Sequence, residues 1–172
     1  MTETHPKLTF VLGGARSGKS FYAEQLVTAL PGPWSYIATA QSFDAEMTAR
    51  IDEHQRRRAS GWLTLEALLD LRGVLSSIPA GQPTLVDCLT LWLTNVMLAG
   101  RPVDPAIAEL VNALALIPGP CVMVSNEVGL GIVPENALAR AFRDHAGRLH
   151  QQVAAHADRV VFMVAGLPMV VK

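Results

Sequence analysis

The segment Gly13-Gly14-Ala15-Arg16-Ser17-Gly18-Lys19-Ser20 lies near the start of the 172-residue chain. It satisfies the pattern G-x-x-x-x-G-K-[ST], follows the apolar run Leu8–Leu12, and precedes Ser20–Leu30, which has helical spacing. A strand before and a helix after are the context that a phosphate-binding P-loop requires. The alternative is a glycine-rich turn that arose by chance, and it is disfavoured because both flanks fit. The segment therefore predicts a small P-loop enzyme that binds ATP or GTP.

The residue types of this loop suit a triphosphate. Its glycines let the backbone N–H groups turn inward, and the helix that follows presents the positive end of its dipole to the phosphates. Lys19 would neutralise the terminal phosphates as a catalytic cation, and Arg16 adds a second positive charge. Ser20 would supply a hydroxyl ligand to Mg²⁺. We therefore predict that all eight loop residues bind nucleotide.

An acid at the end of a neighbouring buried strand should complete the magnesium site. Asp87 follows Thr84-Leu85-Val86 and fits this role. It could equally cap a helix that begins near Cys88, because a capping aspartate would look identical in the sequence. Both roles stay open at this point.

Strand and helix patterns alternate along the chain. Apolar runs typical of buried strands occupy Leu8–Leu12, Trp34–Ala38, Thr84–Cys88, Cys121–Ser125 and Arg159–Val164, with an edge strand expected at Pro168–Val171. Helical spacing occupies Ser20–Leu30, Asp44–Arg58, Leu89–Leu98, Pro105–Ile117 and Pro134–Ala157, where Pro134 suits a first turn. This alternation predicts an α/β fold with a parallel sheet covered on both faces.

Length and charge limit the possible classes of protein. Half of the residues are hydrophobic, so residues 1–172 can form one domain, with residues 1–6 expected to be a flexible tail. Fourteen basic residues balance fifteen acidic ones, which argues against a nucleic-acid partner. Cys88 and Cys121 lie in apolar runs without metal-binding spacing, and no signal peptide or transmembrane run is evident. We expect a cytoplasmic protein.

The predicted helix Asp44–Arg58 places His54 among arginines. At about 100° per residue, Arg50, His54, Arg57 and Arg58 share one side of the helix. Arginines would keep the imidazole neutral and nucleophilic, and they would hold phosphate oxygens. The alternative is a solvated helix end whose arginines interact with the last carbonyls, and spacing alone favours it. His145, His150 and His156 on the last helix show no paired acid in the sequence, so we assign them no chemistry.

Four stretches together resemble one known family, the bifunctional adenosylcobinamide kinases/adenosylcobinamide-phosphate guanylyltransferases of cobalamin biosynthesis. These stretches are the P-loop, Tyr36-Ile-Ala-Thr-Ala40, the segment from Asp44 through His54 to Trp62, and Asn126-Glu-Val-Gly-Leu-Gly-Ile-Val-Pro-Glu-Asn136 with the helix Arg140–Arg148 after it. They occur in the expected order and span nearly the whole chain.

The resemblance implies a RecA-like P-loop sheet, a homotrimer and two successive reactions. A nucleoside triphosphate, ATP or GTP with Mg²⁺, phosphorylates the aminopropanol hydroxyl of adenosylcobinamide. GTP then donates GMP to adenosylcobinamide phosphate through a covalent histidine intermediate, and pyrophosphate leaves. The histidine in the matching position is His54, so the resemblance favours the nucleophile over the solvated helix end.

The resemblance also implies the residues that line the GTP site. Besides the P-loop, these are Ala38, Thr39, Ala40, Gln55, Arg56, Arg57, Arg58, Glu66 and Asp87. The chain departs from the family pattern at Glu53, where another histidine can occur, and at Asp87, where a longer glutamate can stand. Neither change removes a required group, although a shorter Asp87 would shift its metal or ribose contact. Asn126 and Glu127 should follow a strand at the ligand-binding edge of the sheet, and we assign them no step.

Two rival functions remain at this stage. One is a kinase that acts on another small alcohol and in which His54 is structural. The other is a nucleotide-dependent switch that hydrolyses slowly and recruits a partner, and it would need an exposed apolar patch. A covalent GMP adduct would separate both from the bifunctional enzyme.

Overall fold

The computed structural model describes residues 5–41 and 60–172. Its strands are β1 (Leu8–Gly13), β2 (Trp34–Ala38), β3 (Trp62–Glu66), β4 (Thr84–Asp87), β5 (Cys121–Asn126), β6 (Arg159–Val164) and β7 (Leu167–Val170). Its helices are α1 (Lys19–Thr28), α2 (Leu71–Ser77), α3 (Leu89–Leu98), α4 (Val103–Leu114) and α5 (Ala137–His156). The predicted helix Asp44–Arg58 and residues 1–4 of the predicted tail lie outside these ranges.

Within the described residues the strands form one sheet in the order β3-β2-β4-β5-β1-β6-β7. All neighbours run parallel except β6 and β7, which pair antiparallel at one edge. The mostly parallel α/β sheet and the edge strand near the end of the chain are therefore confirmed, whereas the antiparallel direction of that strand was not predicted. β3 was not predicted, because Trp62–Glu66 is mostly exposed and lacks the continuous apolar run of the central strands. The short helix α2 was not predicted either.

Successive side chains of the central strands enter two different cores. Phe10, Ile37 and Met123 join a core beneath α2 to α5, whereas their neighbours Val11 and Tyr36 join a second core beneath α1. This alternation follows from the two-residue period of a strand. Helices thus cover both faces, as predicted. Cys88 and Cys121 are buried free thiols in these cores.

The start of α5 differs from the prediction. Asn136 caps this helix, because its side chain accepts hydrogen bonds from the backbone N–H groups of Leu138 and Ala139. Pro134 therefore precedes the helix and does not lie in its first turn. The cap fixes where the long loop after β5 ends.

No helix among the described residues has both the length and the apolar character needed to cross a membrane.

Candidate active site

The parallel register brings the ends of five strands to one edge of the sheet. Ala38 at the end of β2 is level with Glu66 on one side and with Asp87 on the other. Gly13 at the end of β1 is level with Asn126. Residues that are far apart in the sequence therefore meet at the carboxyl edge, where open α/β folds bind their ligands.

The P-loop forms a tight turn between β1 and α1. Arg16 and Gly18 have positive φ angles of 55° and 91°, and the N–H of Ser17 donates to the carbonyl of Gly14 at 3.3 Å. A Cβ on Gly13 would lie 2.4 Å from Ser17 Oγ, so this position has no room for a side chain. Within residues 5–41 and 60–172, the buried Ser17 Oγ has no hydrogen-bond partner. Tight packing and the left-handed angles explain why glycine occupies positions 13 and 18.

Lys19 is the buried cation of the site. Its side chain is 8% exposed, and Nζ donates to the carbonyl oxygen of Gly14 at 2.9 Å. Burial lowers the pKa of Lys19, while its neighbours Cys88 and Asp87 partly oppose this shift. The predicted cation thus lies beside the acid that was predicted to hold the metal.

Asp87 ends β4 and is bound from the neighbouring strand. The hydroxyl of Tyr36 donates to Asp87 Oδ2 at 3.0 Å. The residue at the cap of α3 is Cys88, and it makes no side-chain capping hydrogen bond. The capping interpretation of Asp87 is therefore wrong, since its carboxylate bonds Tyr36 instead of closing the helix.

Thr39 fixes the backbone beside Asp87. Its hydroxyl donates to the carbonyl of Cys88 at 2.7 Å and accepts from the N–H of Cys88 at 2.8 Å. The side chain of Asn95 donates to the carbonyl of Thr39 at 2.8 Å. Because Thr39 is fully buried, its side chain here holds the ends of β2 and β4 together. Its predicted contact with nucleotide stays a prediction, as does that of Ala40.

A second polar contact set joins β5 to the site. The backbone N–H and the side-chain amide of Asn126 lie 3.3 and 3.2 Å from the hydroxyl of Thr90, which is 3.1 Å from Cys88 Sγ. Burial raises the pKa of Cys88 to about 11, and the charge of Asp87 adds to the effect. Cys88 is therefore a protonated thiol at neutral pH, and it serves packing and hydrogen bonding.

Beneath the end of β5, Ser125 Oγ lies 2.7 Å from His150 Nε2, and both residues are buried. Burial lowers the pKa of His150, and the charge of Glu127 partly opposes this shift. His150 also packs against the ring of Phe10, with the ring centres 5.7 Å apart. The histidine thus ties α5 to the sheet as a neutral side chain.

His145 differs from the expectation for the histidines. Its Nδ1 accepts from Arg148 at 2.7 Å and lies 3.7 Å from Asp104 Oδ1. This acid was not foreseen because Asp104 comes from α4, about forty residues earlier in the sequence.

An open cleft of about 390 Å³ lies beside the P-loop. The cleft is lined by Gly14, Ala15, Arg16 and Ser17 of the P-loop, by Glu127 and Leu130 after β5, and by Phe162, Met163, Val164 and Ala165 at the end of β6. The turn after β6 is held in place because the N–H of Gly166 donates to the carbonyl of Ser17 at 3.0 Å. The sequence did not indicate this cleft, because its lining comes from the P-loop, the loop after β5 and the end of β6, which are far apart in the chain.

The structure places the P-loop, Ala38, Thr39 and Asp87 at the carboxyl edge of the central strands, and Glu66 lies beside Ala38 at the end of the edge strand β3. The predicted nucleophile His54 and the predicted nucleotide ligands Gln55, Arg56, Arg57 and Arg58 lie outside the described residues. Tyr36 was missed as a partner of Asp87, although it begins the quoted motif Tyr36-Ile-Ala-Thr-Ala40.

The oxygen donors Ser20 and Asp87 suit Mg²⁺ in chemical type. Mg²⁺ is usually held by one or two protein oxygens together with substrate phosphates and water. In residues 5–41 and 60–172 no group of three His, Cys, Asp or Glu side chains is placed to hold a metal. A hydroxyl and a carboxylate beside the phosphate loop therefore fit a magnesium ion that arrives with the nucleotide.

Comparison with known proteins agrees with this geometry. The family model described as "Cobinamide kinase / cobinamide phosphate guanyltransferase" matches residues 9–171. The "Bifunctional adenosylcobalamin biosynthesis protein CobP" of Pseudomonas aeruginosa is 51% identical over 165 residues, which cover 94% of this chain and 95% of that protein. The proteins named "Bifunctional adenosylcobalamin biosynthesis protein CobU" in Salmonella typhimurium and Escherichia coli are each 40% identical, covering 96% of this chain and 99% of each relative.

Two solved structures share the fold at 10% sequence identity. One is a prototypical ATPase from the type III secretion system of pathogenic bacteria, with a TM-score of 0.57 over 91% of this chain and 50% of that chain. The other is a protein of Pyrococcus horikoshii, with a TM-score of 0.51 over 96% of this chain and 86% of that chain. These matches show that the α/β fold of this chain is shared with both structures.

Proposed function

The chain belongs to the cobinamide kinase/cobinamide phosphate guanyltransferase family, and we infer from this membership that it carries out both reactions. It phosphorylates adenosylcobinamide and then transfers GMP to the resulting phosphate, giving adenosylcobinamide-GDP. The observation that carries this conclusion is the P-loop with its buried Lys19 beside Asp87, in a chain that matches the family over residues 9–171.

In the kinase reaction, Lys19 and the N–H groups of the P-loop bind the triphosphate of ATP or GTP. Ser20 and Asp87 hold Mg²⁺, which offsets the negative charge of the phosphates when it is bound. The hydrogen bond from Tyr36 keeps the Asp87 carboxylate in one orientation. We assign these roles to Asp87 and the P-loop because both lie at the carboxyl edge of the sheet.

In the transfer reaction, we propose that His54 attacks the α-phosphorus of GTP and that pyrophosphate leaves. The phosphate of adenosylcobinamide phosphate then attacks the guanylylated histidine, which is released unchanged. The arginines that follow His54 would bind the phosphate oxygens. The support for this assignment is the order of the sequence motifs and the family pattern. His54 itself lies outside the described residues.

The remaining assignments follow from the same membership. We propose that Ala38, Thr39, Ala40 and Glu66 line the GTP site and that the enzyme acts as a homotrimer in the cytoplasm. Light scattering on the purified protein would test the trimer, and cell fractionation would test the location.

The deciding experiment labels the protein with GTP that carries ³²P at the α-phosphate, in the presence of Mg²⁺. We expect an acid-labile label on the wild type and on His156→Ala, and none on His54→Ala. His156 is a suitable control because it lies at the exposed end of α5 and bonds the carbonyl of Gln152. A label on His54→Ala equal to that of the wild type would remove His54 from the mechanism.

A kinase that acts only on another alcohol is the second candidate. It would give no labelled protein and no pyrophosphate from GTP, but it would still transfer the γ-phosphate of ATP. Incubation with adenosylcobinamide and chromatography of the corrinoid products distinguishes the two functions.

A further inference from the structure

The cleft beside the P-loop contains one acidic residue among the residues described, and no role has been given to it. Glu127 lines this cleft together with Ala15 and Arg16 of the P-loop. Its backbone N–H donates to the carbonyl of Gly13 at 2.9 Å, so its main chain is tied to the start of the P-loop. Its Oε1 also accepts a hydrogen bond from the N–H of Gly129 in its own loop. The carboxylate is thus fixed close to the phosphate-binding backbone.

The cleft is lined by a cation, Arg16, and an anion, Glu127, and its Glu127 side does not suit a triphosphate. Phosphate oxygens that filled it would lie against the Glu127 carboxylate, and like charges at short distance repel strongly outside bulk water. Asp87 and Lys19 do not line this cleft. The triphosphate is therefore better accommodated against Lys19 and Arg16, and the Glu127 side of the cleft is left for a second, uncharged ligand.

The walls of the cleft suit an alcohol on an apolar arm. Leu130, Phe162 and Val164 supply apolar surface, and Glu127 supplies one hydrogen-bond acceptor. A volume of about 390 Å³ can hold a short arm but not a macrocycle. Leu130 is largely exposed at the cleft, so a bulky group attached to the arm can remain outside.

We propose that this cleft binds the hydroxyl-bearing arm of the phosphate acceptor and that Glu127 is the general base of the kinase reaction. The inference rests on the proposed function. The acceptor oxygen forms a bond to the γ-phosphorus while the bond from that phosphorus to the β-bridging oxygen breaks, and the nucleoside diphosphate leaves. The hydroxyl proton passes to the Glu127 carboxylate and then to solvent. Arg16, which lines the same cleft, would lie beside the oxygens of the phosphoryl group in transfer.

The two reactions of one enzyme provide an internal control. Guanylylation of the protein needs no acceptor hydroxyl and no proton transfer in this cleft, so it should not depend on Glu127. The variant Glu127→Gln keeps an oxygen that can accept from the N–H of Gly129, and it loses only the basic carboxylate. Glu109→Gln makes the same change on the exposed surface of α4 and serves as the matched control.

The experiment measures two rates for the wild type, Glu127→Gln, Glu127→Asp and Glu109→Gln. One is phosphorylation of adenosylcobinamide by ATP, and the other is protein labelling by GTP with ³²P at the α-phosphate. We expect Glu127→Gln to lower the kinase kcat about 100-fold or more with labelling unchanged. Glu127→Asp should recover part of the kinase rate, and Glu109→Gln should match the wild type in both.

Other outcomes would overturn the proposal. A kinase kcat in Glu127→Gln within about threefold of the wild type would show that no base acts there. If Glu127→Gln lowered the kinase rate and the labelling rate equally while its urea unfolding midpoint stayed at the wild-type value, Glu127 would be part of the nucleotide site instead. A wild type that performs neither reaction would contradict the proposed function itself. A wild type that is labelled by GTP but does not phosphorylate adenosylcobinamide would contradict the proposed kinase activity, and with it the role of Glu127 as its general base.

Discussion

The hydroxyl of Tyr36 donates a hydrogen bond of 3.0 Å to Asp87 Oδ2, and this contact joins the ends of β2 and β4 at the candidate active site. Tyr36 also packs edge-on against Trp62, with ring centres 6.0 Å apart, so its ring is held independently of the carboxylate. The tyrosine therefore sets the orientation of an acid that we propose holds Mg²⁺.

Replacing Tyr36 by phenylalanine should weaken the binding of GTP with Mg²⁺ by about tenfold, because partners of a metal-binding carboxylate orient it. Isothermal titration calorimetry would measure the affinity with Mg²⁺ and again with EDTA. The difference between wild type and variant should disappear in EDTA. A loss of affinity that is the same in both conditions would mean that Tyr36 does not act through the metal.

Replacing Lys19 by methionine should abolish both reactions while leaving the fold intact. Burial lowers the pKa of this lysine, so the fold gains little from its charge, whereas the phosphates need it. We expect both rates to fall about 100-fold or more, as for other groups that stabilise transferred phosphate. Urea unfolding should give a midpoint equal to or above that of the wild type. A clearly lower midpoint would show that Lys19 is chiefly structural.

An alanine at position 13 should destabilise the protein, because its Cβ would meet Ser17 Oγ at 2.4 Å and the backbone carbonyl of Met163 at 3.1 Å. We expect a loss of about 1 to 3 kcal/mol in the free energy of unfolding. An alanine at position 14 is the matched comparison, since its Cβ would meet no atom of the described residues within 4 Å. Equal unfolding free energies for the two variants would contradict the packing of the P-loop against β6.

Acid should destabilise the fold partly through His150. Burial lowers the pKa of this histidine, so the unfolded chain binds its proton more readily than the folded one. The contribution of the neutral His150 to the free energy of unfolding is therefore fully present above the unfolded pKa of about 6.5. It declines as the pH falls from there toward the lower folded pKa.

Urea midpoints between pH 5 and pH 8 for the wild type and His150→Gln would test this, because the variant should show a flatter dependence. Two curves that stay parallel throughout would show that His150 does not contribute.

Much of the site could be predicted from local sequence. The P-loop and the strand before it carry their own signal, since glycines, a lysine and a serine at fixed spacing need no distant partner to be recognised. Asp87 was proposed from its place at the end of a buried strand, and its alternative as a helix cap could be rejected only because the structure places Cys88 at the cap of α3. β3 and α2 were missed because partial exposure weakens their periodic pattern.

The sequence by itself determined the α/β class, the phosphate-binding loop and the family, because each depends on residues that are close together or in a fixed order. Tertiary structure alone decided which side chains face each other across strands. The contacts of Tyr36 with Asp87 and of Ser125 with His150, and the position of Glu127 in the cleft, join residues from separate elements. Strand order and register fix such contacts, and neither is encoded by any single segment of the chain.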